Sequence, residues 1–166
     1  MGQKIKEFTL KASGKFKYTE FDNLDDDTLA VYQENCSQVS IFNIFTNKKL
    51  ELEINRSNKD LPTCLRWSKT RTNFFIETKL GMIYFYNKKN DKLNPITMSH
   101  SSQIITANWS ETGNLETGDI KKKMSVTTLK DDSLLQNVDL NYEPKNINWA
   151  RQKTSDNKDN NVISII

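Results

Sequence analysis

The run Ile104–Ile105–Thr106–Ala107–Asn108–Trp109–Ser110–Glu111–Thr112–Gly113 decides how the chain folds. Its first half is rich in β-branched residues, which suit a pleated, half-buried strand. Its second half is a tryptophan followed by Ser-x-x-Gly. The same beat occurs upstream in Leu65–Arg66–Trp67–Ser68 and downstream in Ile147–Asn148–Trp149–Ala150. A fourth copy, Tyr18–Thr19–Glu20–Phe21–Asp22, carries Phe21 where the others have tryptophan. The steps from Phe21 to Trp67 to Trp109 to Trp149 are 46, 42 and 40 residues, so all three tryptophans of the chain mark one recurring position.

Each interval holds several short β-type runs. After Phe21 come the acidic turn Asn23–Asp27, then Thr28–Tyr32, Val39–Phe42 and the alternating Leu50–Glu51–Leu52–Glu53–Ile54. Alternation of apolar and charged residues marks a strand with one face in solvent. After Trp67 come Phe74–Glu77, Met82–Tyr86 and a weak beat at Leu93–Met98, whose Pro95 is tolerated at a sheet edge. After Trp109 come a weak Leu115–Thr117, then Met124–Thr128 and Leu134–Leu140. After Trp149 a polar loop, Lys153–Asn161, leads into Val162–Ile166. No helical i, i+3, i+4, i+7 pattern competes. Short strands at a period near ~40 residues are the signature of a β-propeller blade. The predicted fold is all-β: a partial, unclosed propeller of about three and a half four-stranded blades. The expected division is the last strand of a preceding blade at 1–12, blades at 13–57, 58–98 and 99–140, and an incomplete blade at 141–166. Ile5–Leu10 is the expected strand of that preceding blade.

Charged residues make up 27% and aromatics 10%, a balance that suits a folded chain and not a disordered one. The net charge of +3 and the scattered lysines argue against a nucleic-acid partner. No apolar run reaches the ~18 residues of a membrane span, and the first residues lack a signal-peptide pattern. Cys36 and Cys64 have no metal or redox spacing and read as reduced thiols, which points to the cytoplasm.

The candidate residues are structural. Phe21, Trp67, Trp109 and Trp149 are read as anchors packed between adjacent sheets, not as stacking platforms for a ligand. Phe42–Asn43 and Tyr86–Asn87 end the third strand of their repeats, and each asparagine is expected to bond turn amides. His100, the one histidine, lacks a second titratable partner in sequence and reads as a structural hydrogen-bonding group, not a general base. Asp25–Asp26–Asp27 reads as a solvated turn, since calcium needs spaced, converging oxygens. Lys48–Lys49, Lys88–Lys89 and Lys121–Lys123 fall between strands and read as solubilising, with an acidic partner as the alternative. There is no phosphate-binding glycine loop, nucleophile elbow or Cys/His pair, so neither catalytic, metal nor cofactor residues are assigned and the chain is read as non-enzymatic.

These repeats resemble those of WD-repeat propellers. Phe42–Asn43 and Tyr86–Asn87 stand where that pattern has Trp-Asp, and His100 stands where it commonly has Gly-His. More narrowly, Leu29–Ala30–Val31, Val39–Asn43, Leu65–Ser68, Gly81–Asn87, Ile104–Thr106 and Lys123–Val126, in that order and spacing, are similar to the N-terminal propeller of a WD-repeat subunit family of intraflagellar transport complex A. The resemblance implies a non-enzymatic scaffold of retrograde ciliary transport and cilium assembly. It also implies other complex A subunits as partners, and a place in the cytoplasm, the cilium and the ciliary base. The alternative is a propeller fragment of a vesicle-coat or ubiquitin-ligase adaptor scaffold. On this reading the chain is a fragment, expected to be longer at both ends in its native form.

Overall fold

A computed structural model describes residues 14–54, 60–69, 72–96, 100–128, 133–153 and 159–166, together with Thr9. The expected strand Ile5–Leu10 lies outside the described residues. Every regular element among the described residues is a β-strand. The first antiparallel sheet runs β1 (Phe16–Asp22), β2 (Asp25–Gln33), β3 (Gln38–Asn43) and β4 (Lys48–Glu53) in sequence order. The second runs β5 (Pro62–Trp67), β6 (Asn73–Thr78), β7 (Ile83–Asn87) and β8 (Lys92–Ile96). The third runs β9 (Ile104–Trp109), β10 (Asn114–Asp119), β11 (Lys123–Thr128) and β12 (Ser133–Asp139), and β13 (Ile147–Lys153) pairs with β14 (Asp159–Ile165). Strand β1 lies beside β5, β5 beside β9 and β9 beside β13, so the first strand of every sheet faces one common axis. This is the arrangement of a partial β-propeller.

The tight turns follow from residue chemistry. Asn35, Asn47 and Asp91 hold φ of 61°, 55° and 53°, a region that short polar side chains tolerate. In the stretch after Trp109, Gly113 takes φ 85° and its N–H bonds Ser110 O at 3.1 Å, while Asn114 N–H bonds Ser110 Oγ at 2.8 Å. The asparagines that replace aspartate behave as expected. Asn43 Oδ1 accepts from the N–H of Thr46 at 2.8 Å, and Asn87 Oδ1 from the N–H of Lys89 at 2.9 Å.

Two elements differ from the sequence reading. Asp25–Asp27 open strand β2 instead of forming a turn, because Asp25 has ion-pair and hydrogen-bond partners that the local sequence does not show. The polar stretch 153–161 is in part strand: β13 extends to Lys153 and β14 begins at Asp159, with Lys153 opposite Asp159 and Arg151 opposite Asn161. The backbone ladder formed there despite side chains that looked like a loop.

The core is a series of seams between sheets. Ala30, Tyr32, Val39 and Ile41 of the first sheet meet Leu65, Trp67, Phe74, Ile76 and Tyr86 of the second. Phe75 and Ile83 on the other face of the second sheet meet Ile104, Ala107, Trp109 and Leu115 of the third. Strand β6 is buried along its whole length because it contributes to both seams.

Candidate interaction surface

Each seam is fixed by bonds that run from one sheet to the next. In the first seam the Trp67 ring stacks at a tilt on Phe74, with 4.8 Å between centroids, and Trp67 Nε1–H donates to Glu20 O on β1 at 3.1 Å. Asn23 Nδ2 returns a bond to Trp67 O at 3.3 Å. In the second seam Trp109 lies 5.4 Å from Phe75, and Thr63 Oγ1 donates to Ile104 O at 3.2 Å. Trp109 Nε1 is buried with no hydrogen-bond partner. In the third, Asn108 Nδ2 donates to Ile147 O at 3.0 Å.

The expected anchors therefore occupy unequal environments. Trp67 and Trp109 are 1% and 2% exposed, whereas Trp149 is half-buried. Phe21 departs from the expected burial: it is 45% exposed. It pairs with Leu29, which lies on the opposite face from Ala30 and Tyr32, and no described sheet covers that face. Phe42, on the same face, is half-buried under the Lys49 ammonium. Tyr86 is buried in the first seam and donates its hydroxyl to Asp91 Oδ1 at 2.7 Å.

His100 is buried with both ring nitrogens engaged. Nδ1 lies 2.9 Å from Asp119 Oδ2 and Nε2 lies 2.7 Å from Thr117 Oγ1. Ser102 Oγ donates to Asp119 Oδ2 at 2.7 Å, and Asp119 Oδ1 accepts the N–H groups of Lys121 and Lys123 at 2.9 Å each. Burial pushes the imidazole pKa down despite the facing carboxylate. Burial raises the Asp119 carboxyl, but its bonds from Ser102, Lys123 and His100 outweigh that and hold it below the ordinary range. The network pins the segment before β9 to the β10–β11 turn. Gly81, at φ 87°, packs against the same segment: a Cβ there would lie 2.5 Å from Ser102 O.

A second network was not visible in the sequence. Lys88 Nζ, after β7, reaches the first sheet and donates to Asp22 Oδ2 at 3.2 Å, to Thr28 Oγ1 at 2.9 Å and to Asp25 Oδ2. The Asp22 side chain is fully buried. Bonding to Asp27 and the Lys88 ammonium hold Asp25 below the ordinary carboxylate range. Lys88 is thus a clamp between sheets and not a solubilising turn residue. Lys49 is likewise occupied, with Glu51 at 2.5 Å. The cavity of about 340 Å³ between these two turns, lined by Ile41, Leu50 and Tyr86, is ringed by Lys48, Lys49 and Lys88, of which the last two face carboxylates.

Two buried glutamates, also missed, sit in β6 and β10, the second strands of their sheets. Glu77 and Glu116 are 0% exposed and their carboxyl oxygens have no hydrogen-bond partner. Burial pushes Glu116 up to about 8 and Glu77 well above the ordinary value. Among the described residues, no three His, Cys, Asp or Glu side chains group as metal ligands, and both cysteines are unpaired. No helix of the described residues is long and apolar enough to cross a membrane.

At one end of the axial strands lies a cavity of about 250 Å³, to which β1, β5, β9 and the approach to β13 all contribute. Its lining includes Glu20, Arg66, Lys69, Asn108, Asn146 and Asn148. Arg66 Nη1 lies 3.7 Å from Glu20 Oε2, longer than a hydrogen bond.

Sheets of four meandering strands set around an axis and joined by ring-to-backbone seams define a WD-repeat β-propeller. The crystal structure of the C-terminal WD40 domain of Sif2 superimposes with a TM-score of 0.69 at 19% identity, over 82% of this chain and 40% of that one, which establishes the fold. The model of the family described as the WDR19 first beta-propeller matches residues 1–166, so the chain belongs to that family. WD repeat-containing protein 19 of Mus musculus is 27% identical over 155 residues, and that of Homo sapiens is also 27% identical over 155 residues. The match takes in 93% of this chain and 11% of each relative, so the chain spans about a tenth of their length.

Proposed function

We propose that this chain is a non-enzymatic interaction module of a ciliary transport scaffold. By resemblance, it joins other subunits of intraflagellar transport complex A in retrograde transport and cilium assembly. The observation that carries the reading is the match to the WDR19 first propeller across the whole of residues 1–166. WD40 propeller domains are generally scaffolds without catalysis, and they present partners with faces and rims built from inter-strand turns. The buried polar groups here fit that role. His100 and Asp119 do meet hydroxyls, those of Thr117 and Ser102, but all four side chains are buried, and Lys88 is held in ion pairs between sheets.

The sheets are read as successive blades, with Trp67, Trp109, Trp149, Phe42, Tyr86 and His100 as their anchors. The test is affinity purification of the tagged protein from ciliated cells, together with imaging. Recovery with complex A subunits and concentration at the ciliary base and along the cilium are expected. Recovery with vesicle-coat or ubiquitin-ligase components instead would overturn the reading.

A further inference from the structure

We infer that the cavity at the axial end of β1, β5 and β9 is a carboxylate-binding mouth that takes an acidic side chain from a peptide segment of a protein partner. The inference rests on the scaffold reading and names the chemistry of one contact. The lining supplies it. Arg66, with a half-exposed side chain, and the exposed Lys69 both line this opening. Among the described residues, Lys69 has no carboxylate partner. The one carboxyl of the lining, Glu20, stands 3.7 Å from Arg66 and offsets part of that charge, the less because burial pushes its pKa up to about 7; Lys69 adds a second cation that no carboxylate faces.

The amides complete a donor set. Asn108 is spent on the fold: its Nδ2 bonds Ile147 O and its Oδ1 accepts the Trp109 N–H. Asn148 lends only its oxygen, at 3.5 Å from Asn108 Nδ2, which leaves its own Nδ2 to donate. A guanidinium, an ammonium and a side-chain amide around one opening match the acceptor-only chemistry of a carboxylate. The size selects the occupant. About 250 Å³ is below the ~300 Å³ at which small-molecule sites begin, and it suits one side chain delivered by a longer segment. The lysine-ringed groove between the first two sheets is the weaker site, since two of its three lysines, Lys49 and Lys88, already face Glu51, Asp22 and Asp25.

The test is fluorescence anisotropy with a short labelled polyglutamate peptide and the full chain. Polyglutamine and a single-stranded oligodeoxynucleotide serve as comparison probes. Arg66→Gln and Lys69→Gln are each expected to weaken polyglutamate binding about tenfold, while Lys121→Gln, on the β10–β11 turn, leaves it unchanged. Arg66→Gln keeps a long polar side chain, and thermal melts of each variant confirm that it is folded. Saturable binding lost in both mouth variants supports the inference. No saturable binding overturns it, as does equal loss in Lys121→Gln, or tighter binding of the oligodeoxynucleotide through the same residues. Recovery of complex A subunits by a Lys69→Gln protein that binds no polyglutamate would overturn the mouth as a contact of that assembly and leave the scaffold reading standing.

Discussion

At the scale of single residues, two tryptophans in the same sequence setting have different energetics. Trp67 Nε1–H bonds Glu20 O, whereas Trp109 Nε1–H is buried without a partner. Replacing either by phenylalanine removes similar packing, but only the first breaks a bond and strands a carbonyl, and only the second removes an unmet donor. Trp67→Phe is therefore expected to cost roughly 1–3 kcal/mol more than Trp109→Phe in matched denaturant melts. The repeat made both tryptophans legible in sequence. The difference between them depends on a backbone carbonyl in the next sheet, which no local pattern reports. Glu116 is a similar case: a glutamate in a weak β run carries no sign of burial. With its folded pKa raised to about 8 and an ordinary value near 4.5 when unfolded, it stays protonated in the native state while the unfolded chain has released its proton. Its contribution is intact below about pH 4.5 and is lost as pH rises toward 8. Stability is expected to fall by up to about 1.4 kcal/mol per pH unit between about pH 5.5 and 7, less steeply as pH approaches 8, and to level off above it. Melts of Glu116→Gln between about pH 7 and 9, where His100 is neutral, should show a shallower fall; an unchanged slope would contradict the assignment.

At the scale of elements, the strands were legible and the ties between them were not. Period-two alternation marked β4, and the tryptophan beat marked β5, β9 and β13. Asp25–Asp27 was misread because three carboxylates in a row look like a turn until Lys88, 63 residues away from Asp25, is brought beside them. That lysine gives the sharpest test. Lys88→Met keeps the stem but leaves the buried Asp22 carboxyl without its cation. A loss of about 3 kcal/mol is expected, at the low end for a broken buried pair because Lys88 is 26% exposed. The double variant Lys88→Met with Asp22→Asn should recover part of it. Gly81 makes the corresponding point about backbone. Its positive φ and its approach to Ser102 O leave no room for a methyl, so Gly81→Ala is expected to cost roughly 2 kcal/mol, read as a lowered melting temperature.

At the scale of the molecule, the main contacts between sheets among the described residues run from each sheet to its neighbour along the arc, so stability is divided among seams and not pooled in one core. The first seam has the larger apolar cluster, the Trp67 bond and the Lys88 clamp. The second has a smaller cluster and an unmet indole, though the His100 network and Gly81 lock its rim. Among the described residues the third sheet is followed by the β13–β14 pair, and a two-stranded pair is marginal in water. Local opening should follow this order. Native-state hydrogen exchange is expected to find the slowest amides in β2, β3 and β6, where both faces or the first seam bury the ladder, with β9 and β10 intermediate and β13 and β14 fastest. Lys88→Met should speed exchange in β2 and β7 while leaving β13 and β14 unchanged, because the clamp belongs to the first seam alone. Uniform acceleration across all the sheets would mean that the arc opens as one unit, and would refute the division into seams.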